Sequence, residues 1–213
     1  MDHESRHQTV RLDAKKKSIG ATERNEEERT AWRAKARTLP TEDLVFIDET
    51  GSNIALTPLY ARAPRGERAR GKVPRNRGKN TTLIAALSLS GMGAAMILEG
   101  SADTIAFEVY IEQILAPSLQ TGQIVVMDNL QAHKSERMKQ VIEAKGCQLL
   151  FLPGYSPDLS PIEEAFSKLK TILRRAGART REALEEALTQ ALLTITAQDA
   201  QGWFQHCGYL LPE

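Results

Sequence analysis

Three carboxylates in this sequence stand where one element gives way to the next. Asp48 follows the apolar run Leu44-Val45-Phe46-Ile47, Asp128 follows Ile124-Val125-Val126-Met127, and Glu163 comes just after the proline-rich segment 153–161. A carboxylate at the C-terminal end of a buried strand lies at the open edge of a sheet, where α/β folds gather their ligands. Two such strand ends and one helix-borne glutamate can therefore converge on one spot. Converging carboxylates repel one another and rise in pKa unless hard cations with oxygen ligands sit between them, as Mg²⁺ or Mn²⁺ would. The pattern calls for metal.

Each acid has rivals nearby. Glu49 and Glu164 adjoin the chosen residues, but strand alternation turns Glu49 to the other face, and one step along a helix rotates Glu164 by about 100°. Asp158, within Ser156-Pro157-Asp158-Leu159-Ser160-Pro161, reads as a turn-former that closes the loop on its own backbone. Taken alone, Glu163 would be only a helix-start charge favoured by the helix dipole. Asn129 and His133 follow Asp128 closely and are accessory candidates, suited to touching a bound ligand or to starting a helix.

The elements that must position these residues follow from patterning. Residues 13–38 are polar, with Trp32 the one large apolar group, and read as a linker running into a charged helix at about residues 23–37. The run 44–50 is a short strand covered on both faces. Residues 81–99 give two strands joined at Ser90-Gly91-Met92-Gly93, a hairpin turn. A helix over 103–119, with Ile105, Val109, Ile114 and Leu115 on its apolar side, leads to a fourth strand at 123–128. A helix from about His133 to Lys145, stopped by Gly146, precedes a fifth strand at 147–152. Three prolines stiffen the loop 153–161, which delivers a helix near 162–175 in a fixed direction. The last helix starts at Thr180 and carries a core stripe from Ala183 to Ile195. Trp203, Phe204 and Tyr209 pack behind it. With right-handed crossovers the order yields an α/β, ribonuclease H-like fold. Its five-stranded mixed sheet is flanked by helices, with strands one and four as neighbours, so that Asp48 and Asp128 face each other.

Composition narrows the classes. The 213 residues, 41% hydrophobic and 26% charged, are ordinary for a globular protein. No apolar stretch approaches the roughly 18 residues needed to span a bilayer, and residues 1–20 carry charges where a signal peptide needs its apolar centre. A cytoplasmic protein with no membrane association is expected. Cys147 and Cys207 lack metal-ligand spacing and read as buried, reduced thiols. The net charge of +1 hides a concentration of cations, because residues 62–79 hold eight basic side chains against one acid. With three glycines and two prolines this segment is a flexible arm. Arg65, Arg68, Arg70, Lys72, Arg75, Arg77 and Lys79 suit nucleic-acid phosphates, and Lys168, with Lys170, Arg174 and Arg175, could extend that surface. They read no bases by themselves.

The runs FIDETG, VVMDNLQAHKS and LPGYSPDLSPIEEAFSKLK resemble the three catalytic-motif segments of the insertion-sequence 630 transposases, within the Tc/mariner superfamily of DDE enzymes. The resemblance spans about residues 21–209. It implies that Asp48, Asp128 and Glu163 bind two Mg²⁺ or Mn²⁺ ions and that the activity is cleavage and strand transfer of DNA at transposon ends. Two cations about 3.5–4 Å apart can activate a nucleophile on one side of a phosphate and stabilise the leaving oxygen on the other. The expected partners are transposon-end and target DNA, and a second copy of the chain in the active complex. Members of that family carry helix-turn-helix modules upstream. Residues 1–40 are too few and too polar to hold them, so they are expected to be a remnant of that connection, with the catalytic domain at 41–213 and recognition supplied by a separate or fused product. Two other readings compete. A haloacid dehalogenase-like phosphatase would need a second Asp where Thr50 stands and a wholly parallel sheet. A non-catalytic DNA-binding remnant of a decayed element would keep the fold and the basic arm without turnover.

Overall fold

The computed structural model describes residues 21–129 and 135–212. Five strands, β1 (Leu44–Ser52), β2 (Thr81–Ser88), β3 (Gly91–Glu99), β4 (Ile124–Met127) and β5 (Gln148–Phe151), form one sheet in the order β3-β2-β1-β4-β5. The β1–β2 and β2–β3 pairs are antiparallel, whereas β4 runs parallel to both β1 and β5. This is the mixed order expected from the sequence. The antiparallel neighbour of β1 removes the phosphatase alternative, which needs a parallel sheet.

Local chemistry explains the connections. Only Leu89 and Ser90 link β2 to β3, and Gly91 follows at φ +110°, where an added Cβ would lie 3.2 Å from the Ile195 carbonyl oxygen. The parallel pairs require crossovers, which are helical. Helix α2 (Thr104–Tyr110) is capped by Asp103, whose carboxylate accepts the Ala106 N–H at 2.8 Å, and it widens into a π turn at Ile111–Leu115. Helix α3 (Glu136–Ala144) ends at Gly146, φ +71°, where a Cβ would meet Thr121 Cγ2 at 2.7 Å. The proposed start of this helix at His133 lies outside the described residues.

Alternation along the strands splits the core in two. Leu44 and Phe46 of β1, with Leu83, Ala85, Ile124 and Val126, face a layer made by α1 (Glu26–Ala36), α4 (Pro161–Ala176), α5 (Arg181–Leu192) and α6 (Ala197–His206). Val45 and Ile47, with Ile84, Ala86, Val125 and Met127, face α2 and α3. Trp32 and Ala36 are buried in the first cluster, so α1 packs with the body that follows the boundary drawn at residue 40. Cys147 and Cys207 are buried free thiols. No helix among the described residues is long and apolar enough to cross a membrane.

Two helices differ from the sequence expectation. Ile105 and Val109, assigned to the apolar side of α2, are 70% and 38% exposed. The buried stripe is Phe107, Tyr110, Ile111 and Leu115, so Leu115, with Ile114 packed beside it, is on the core side as expected while Phe107 and Tyr110 take the place of Ile105 and Val109. The last helix was expected to continue to Ile195, but α5 stops at Leu192 and a separate α6 begins after Thr196. Thr196 and Asp199 form a reciprocal capping box, which restarts the chain as a new helix.

Candidate active site

The site is built at the middle of the sheet. β1 runs past Asp48 to Ser52, because β2 supplies backbone partners as far as Ser52↔Thr81, so Asp48 is a mid-strand residue opposite Ala85 rather than a strand end. On its other side, pairing with β4 runs to Phe46↔Val126, and Asp128 is the first residue after β4. Extending that register by two residues sets Asp48 level with Asp128. Alternation points Asp48 to the face of Leu44 and Phe46, beneath α4.

Helix α4 starts at Ser160 as N-cap with Pro161 next, and its buried residues Ile162, Ala165, Phe166, Leu169 and Leu173 clamp it to that face. Glu163 falls in the first turn. Asp48, Asp128, Asn129 and Glu163 thus line one cleft of about 290 Å³, walled by the loop 152–157 and Ser160. Glu164 is outside this cleft, with Oε1 3.7 Å from His206 Nε2 on α6. His133 lies outside the described residues.

Electrostatics mark the cleft as a place for positive charge. Burial is the main reason that the Asp48 carboxyl is pushed up to about 8, and the nearby negative charges of Glu49, Glu163 and Asp128 add to it. A hydrogen bond from the Glu49 backbone N–H to Asp48 Oδ1, 2.8 Å long, works the other way. Glu163 is also raised, first by loss of water at the cleft and then by Asp128, Glu49 and Glu164, with Lys170 pulling it down. Although Glu49 stands on the opposite face, as expected, its charge still reaches both. Among the described residues no three acidic, histidine or cysteine side chains close on a common point that would hold a metal ion. The three acids share a cleft without closing on one point.

Asp158 does sit in a turn, the 3₁₀ turn Pro157–Leu159, but its carboxylate is held by a residue from far along the chain. Arg29, 1% exposed, donates from Nη1 to Oδ1 at 3.0 Å and from Nη2 to Oδ2 at 2.7 Å. Burial pushes the Asp158 carboxyl up, yet Arg29 and Arg24 more than offset this and hold it below the ordinary range.

The segment 62–79 has no regular structure, and Arg65, Arg68, Arg70, Lys72, Arg75 and Arg77 are exposed on it. Its root is pinned by Arg179, whose Nη1 donates to the carbonyls of Ile54 and Leu56 at 3.0 and 2.9 Å. Lys79 is paired with Glu99 at 2.7 Å. Lys168, expected among the nucleic-acid contacts, instead donates to Asp199 Oδ2 at 2.6 Å and to the Thr194 carbonyl, binding α4 to the start of α6.

A family model described as DDE superfamily endonuclease matches residues 43–185, a span that contains Asp48, Asp128 and Glu163. The chain belongs to the DDE superfamily of endonucleases. Solved structures similar to this DDE endonuclease include the Mos1 transposase paired-end complex with left transposon end, at TM-score 0.70 and 17% identity over 93% of this chain. The mariner Mos1 paired-end complex with Mg matches at TM-score 0.68 and 15% identity over 96% of this chain and 69% of that one. The catalytic domain of Mos1 mariner transposase matches at 0.56 and 14%, covering 88% of this chain and 93% of that domain. These likenesses establish the ribonuclease H-like fold. The chain spans 64% of the Mos1 chain in the first of these complexes. No curated protein matches its sequence.

Proposed function

We propose that this DDE endonuclease is the catalytic domain of a Tc/mariner-type transposase of the insertion-sequence 630 kind, cleaving and joining DNA at transposon ends. One observation carries the reading: Asp48, Asp128 and Glu163, from two strands and a helix, line a single cleft. The donor set fits Mg²⁺ or Mn²⁺, since it is all oxygen and the Asp48 carboxyl is pushed up to about 8 where no positive charge offsets it. Asp48, Asp128 and Glu163 would hold two such ions, which when bound supply charge stabilisation at a phosphate and a lowered pKa for the attacking hydroxyl. Asp48, fixed in β1 by its pairing with Ala85 of β2, would be the most rigidly held of the three.

The remaining residues bind and orient. The exposed cations Arg65, Arg68, Arg70, Lys72, Arg75 and Arg77 would engage DNA phosphates from a root fixed by Arg179, gaining affinity through counterion release. Asn129, at the rim of the cleft, would donate to the DNA backbone. Recognition modules from a separate or fused product would select the ends, with two copies of the chain in the active complex. Similar structures include Mos1 paired-end complexes and such complexes with Mg or Mn, which supports the same partners and ions here.

The test is a nicking assay on duplexes carrying the element's ends. Mg²⁺ or Mn²⁺ should support cleavage, and Ca²⁺ should bind with little turnover. Asp48→Asn should abolish cleavage while leaving DNA binding largely intact. Cleavage by Asp48→Asn at the parent rate would overturn the assignment.

A further inference from the structure

Helix α1 grips the turn in front of α4 at two points. Arg29 makes its bidentate pair with Asp158, joined there by Arg24 and, at 3.9 Å, by Arg33. One turn further along α1, Trp32 Nε1 donates to Tyr209 Oη at 3.1 Å, and Tyr209 Oη in turn donates to the Leu159 carbonyl at 2.8 Å. The gripped turn is tied directly to the site. Leu159 N–H donates to Ser156 O, Ser160 N–H to Pro157 O, and Glu163 N–H to Ser160 O at 3.2 Å. The same segment walls the cleft with Ser156, Pro157 and Ser160.

An ion pair with one buried partner is a poor source of stability, because removing the guanidinium from water costs about as much as the pairing returns. Such pairs are better suited to fixing geometry. A planar guanidinium locked in two hydrogen bonds specifies both the distance and the angle of the turn it holds. Glu163 sits on a helix whose first turn has no side-chain cap bond from Ser160, so the direction of α4 at that end depends on the turn before it.

We propose that α1 is a positioning strut for the third carboxylate, with Arg29 and Asp158 as positioning residues that set where α4 begins and hence where Glu163 stands. The proposal rests on the reading of Glu163 as a catalytic carboxylate. α1, which supplies no side chain to the cleft, would then control its competence.

The test uses the full chain and the near-isosteric Asp158→Asn, with Arg29→Met, Arg29→Lys and Trp32→Phe alongside. Hydrogen exchange should quicken at the amides of Leu159, Ser160 and Glu163 in Asp158→Asn and Arg29→Met, while the β2–β3 amides keep the parent rate. Mn²⁺-dependent nicking at saturating DNA should fall about 10- to 100-fold, the usual cost of losing a group that orients a ligand residue. DNA affinity should change by less than about twofold, placing the loss in kcat rather than in binding. Arg29→Lys should recover part of the rate, and Trp32→Phe should loosen the same three amides. Parent-like exchange at those amides, parent-like nicking, or loosening that spreads equally to β2–β3 would each overturn the strut. Glu163→Gln separates the two readings: if it nicks normally the site assignment fails, whereas an inactive Glu163→Gln beside a fully active Asp158→Asn sinks only the strut.

Discussion

Asp48 and Asp128 come two residues after the last β1–β4 partners, Phe46↔Val126, Asp48 still within β1 and Asp128 just past the end of β4. Both are therefore held close to the same paired stretch of backbone. Glu163 is the independently placed member of the three, brought in by a helix from above.

That difference predicts how neighbouring glutamates behave. Glu163→Gln should lower metal-dependent cleavage by about a hundredfold or more, as loss of a ligand does. Glu164→Gln should stay near the parent rate, since Glu164 faces His206 outside the cleft. Side-by-side nicking rates decide this, and equal losses would mean that the first turn of α4 is rotated from the arrangement described.

A second prediction concerns pH. The folded Asp48 carboxyl is pushed from 3.8 up to about 8, so between those values the folded protein holds a proton that the unfolded chain has released. Its contribution to stability is therefore fully present below about 3.8 and is lost as pH rises towards 8. Thermal unfolding without divalent cations should show a melting temperature that declines from pH 5 to pH 8. Asp48→Asn should flatten the decline, and Mg²⁺ or Mn²⁺ should restore more stability at pH 8 than at pH 5. A decline of the same size in Asp48→Asn would assign it elsewhere.

The basic arm should act on affinity without selecting sequence. Replacing Arg65, Arg68, Arg70 and Lys72 together by Ala should reduce the slope of log affinity against log salt by about 0.9 for each phosphate no longer neutralised. A salt titration on two unrelated duplexes reads this, with little preference between them expected. An unchanged slope would make the arm a merely solvated surface.

The core beneath the site gives a stability prediction. Phe46 lies two residues before Asp48, is fully buried, and meets Phe204 and Tyr209 edge-on at centroid distances of 5.3 and 5.2 Å. Phe46→Ala should cost about 3–5 kcal/mol in denaturant unfolding. Cleavage should fall with it, because the cavity opens under the catalytic face of β1.

Much of this architecture is legible in the chain. The apolar runs 44–47 and 124–127 announce buried strands, the glycine-containing stretch Ser90–Gly93 announces a hairpin although the link is Leu89-Ser90 and both glycines fall within β3, and alternation already separates Asp48 from Glu49. Strand length is less legible: β1 continues to Ser52 through backbone pairing with β2, which needs no apolar side chains. The Thr196–Asp199 capping box is present in the sequence as Thr-x-x-Asp, but the apolar stripe leading up to Ile195 masks the break and suggests one longer helix. The engagement of Arg29 with Asp158 and of Arg179 with the carbonyls of residues 54 and 56 is not legible. These bonds join residues more than a hundred positions apart, and charged side chains carry no local mark of a distant partner.

The two-faced pleat of β1 also sets how the gene can change in length. Removing or adding one codon between Leu44 and Asp48 while the strand keeps its pairing would flip one side of the change to the other face, either presenting Glu49 or Ile47 to the cleft or turning the residues before it, Leu44 among them, out of their cluster. The exposed segment 62–79, tethered at its root by Arg179, has no such parity. Insertions and deletions should therefore be tolerated in the arm and excluded from the strand, so that lineages of this domain diverge in reach around an unchanging catalytic frame.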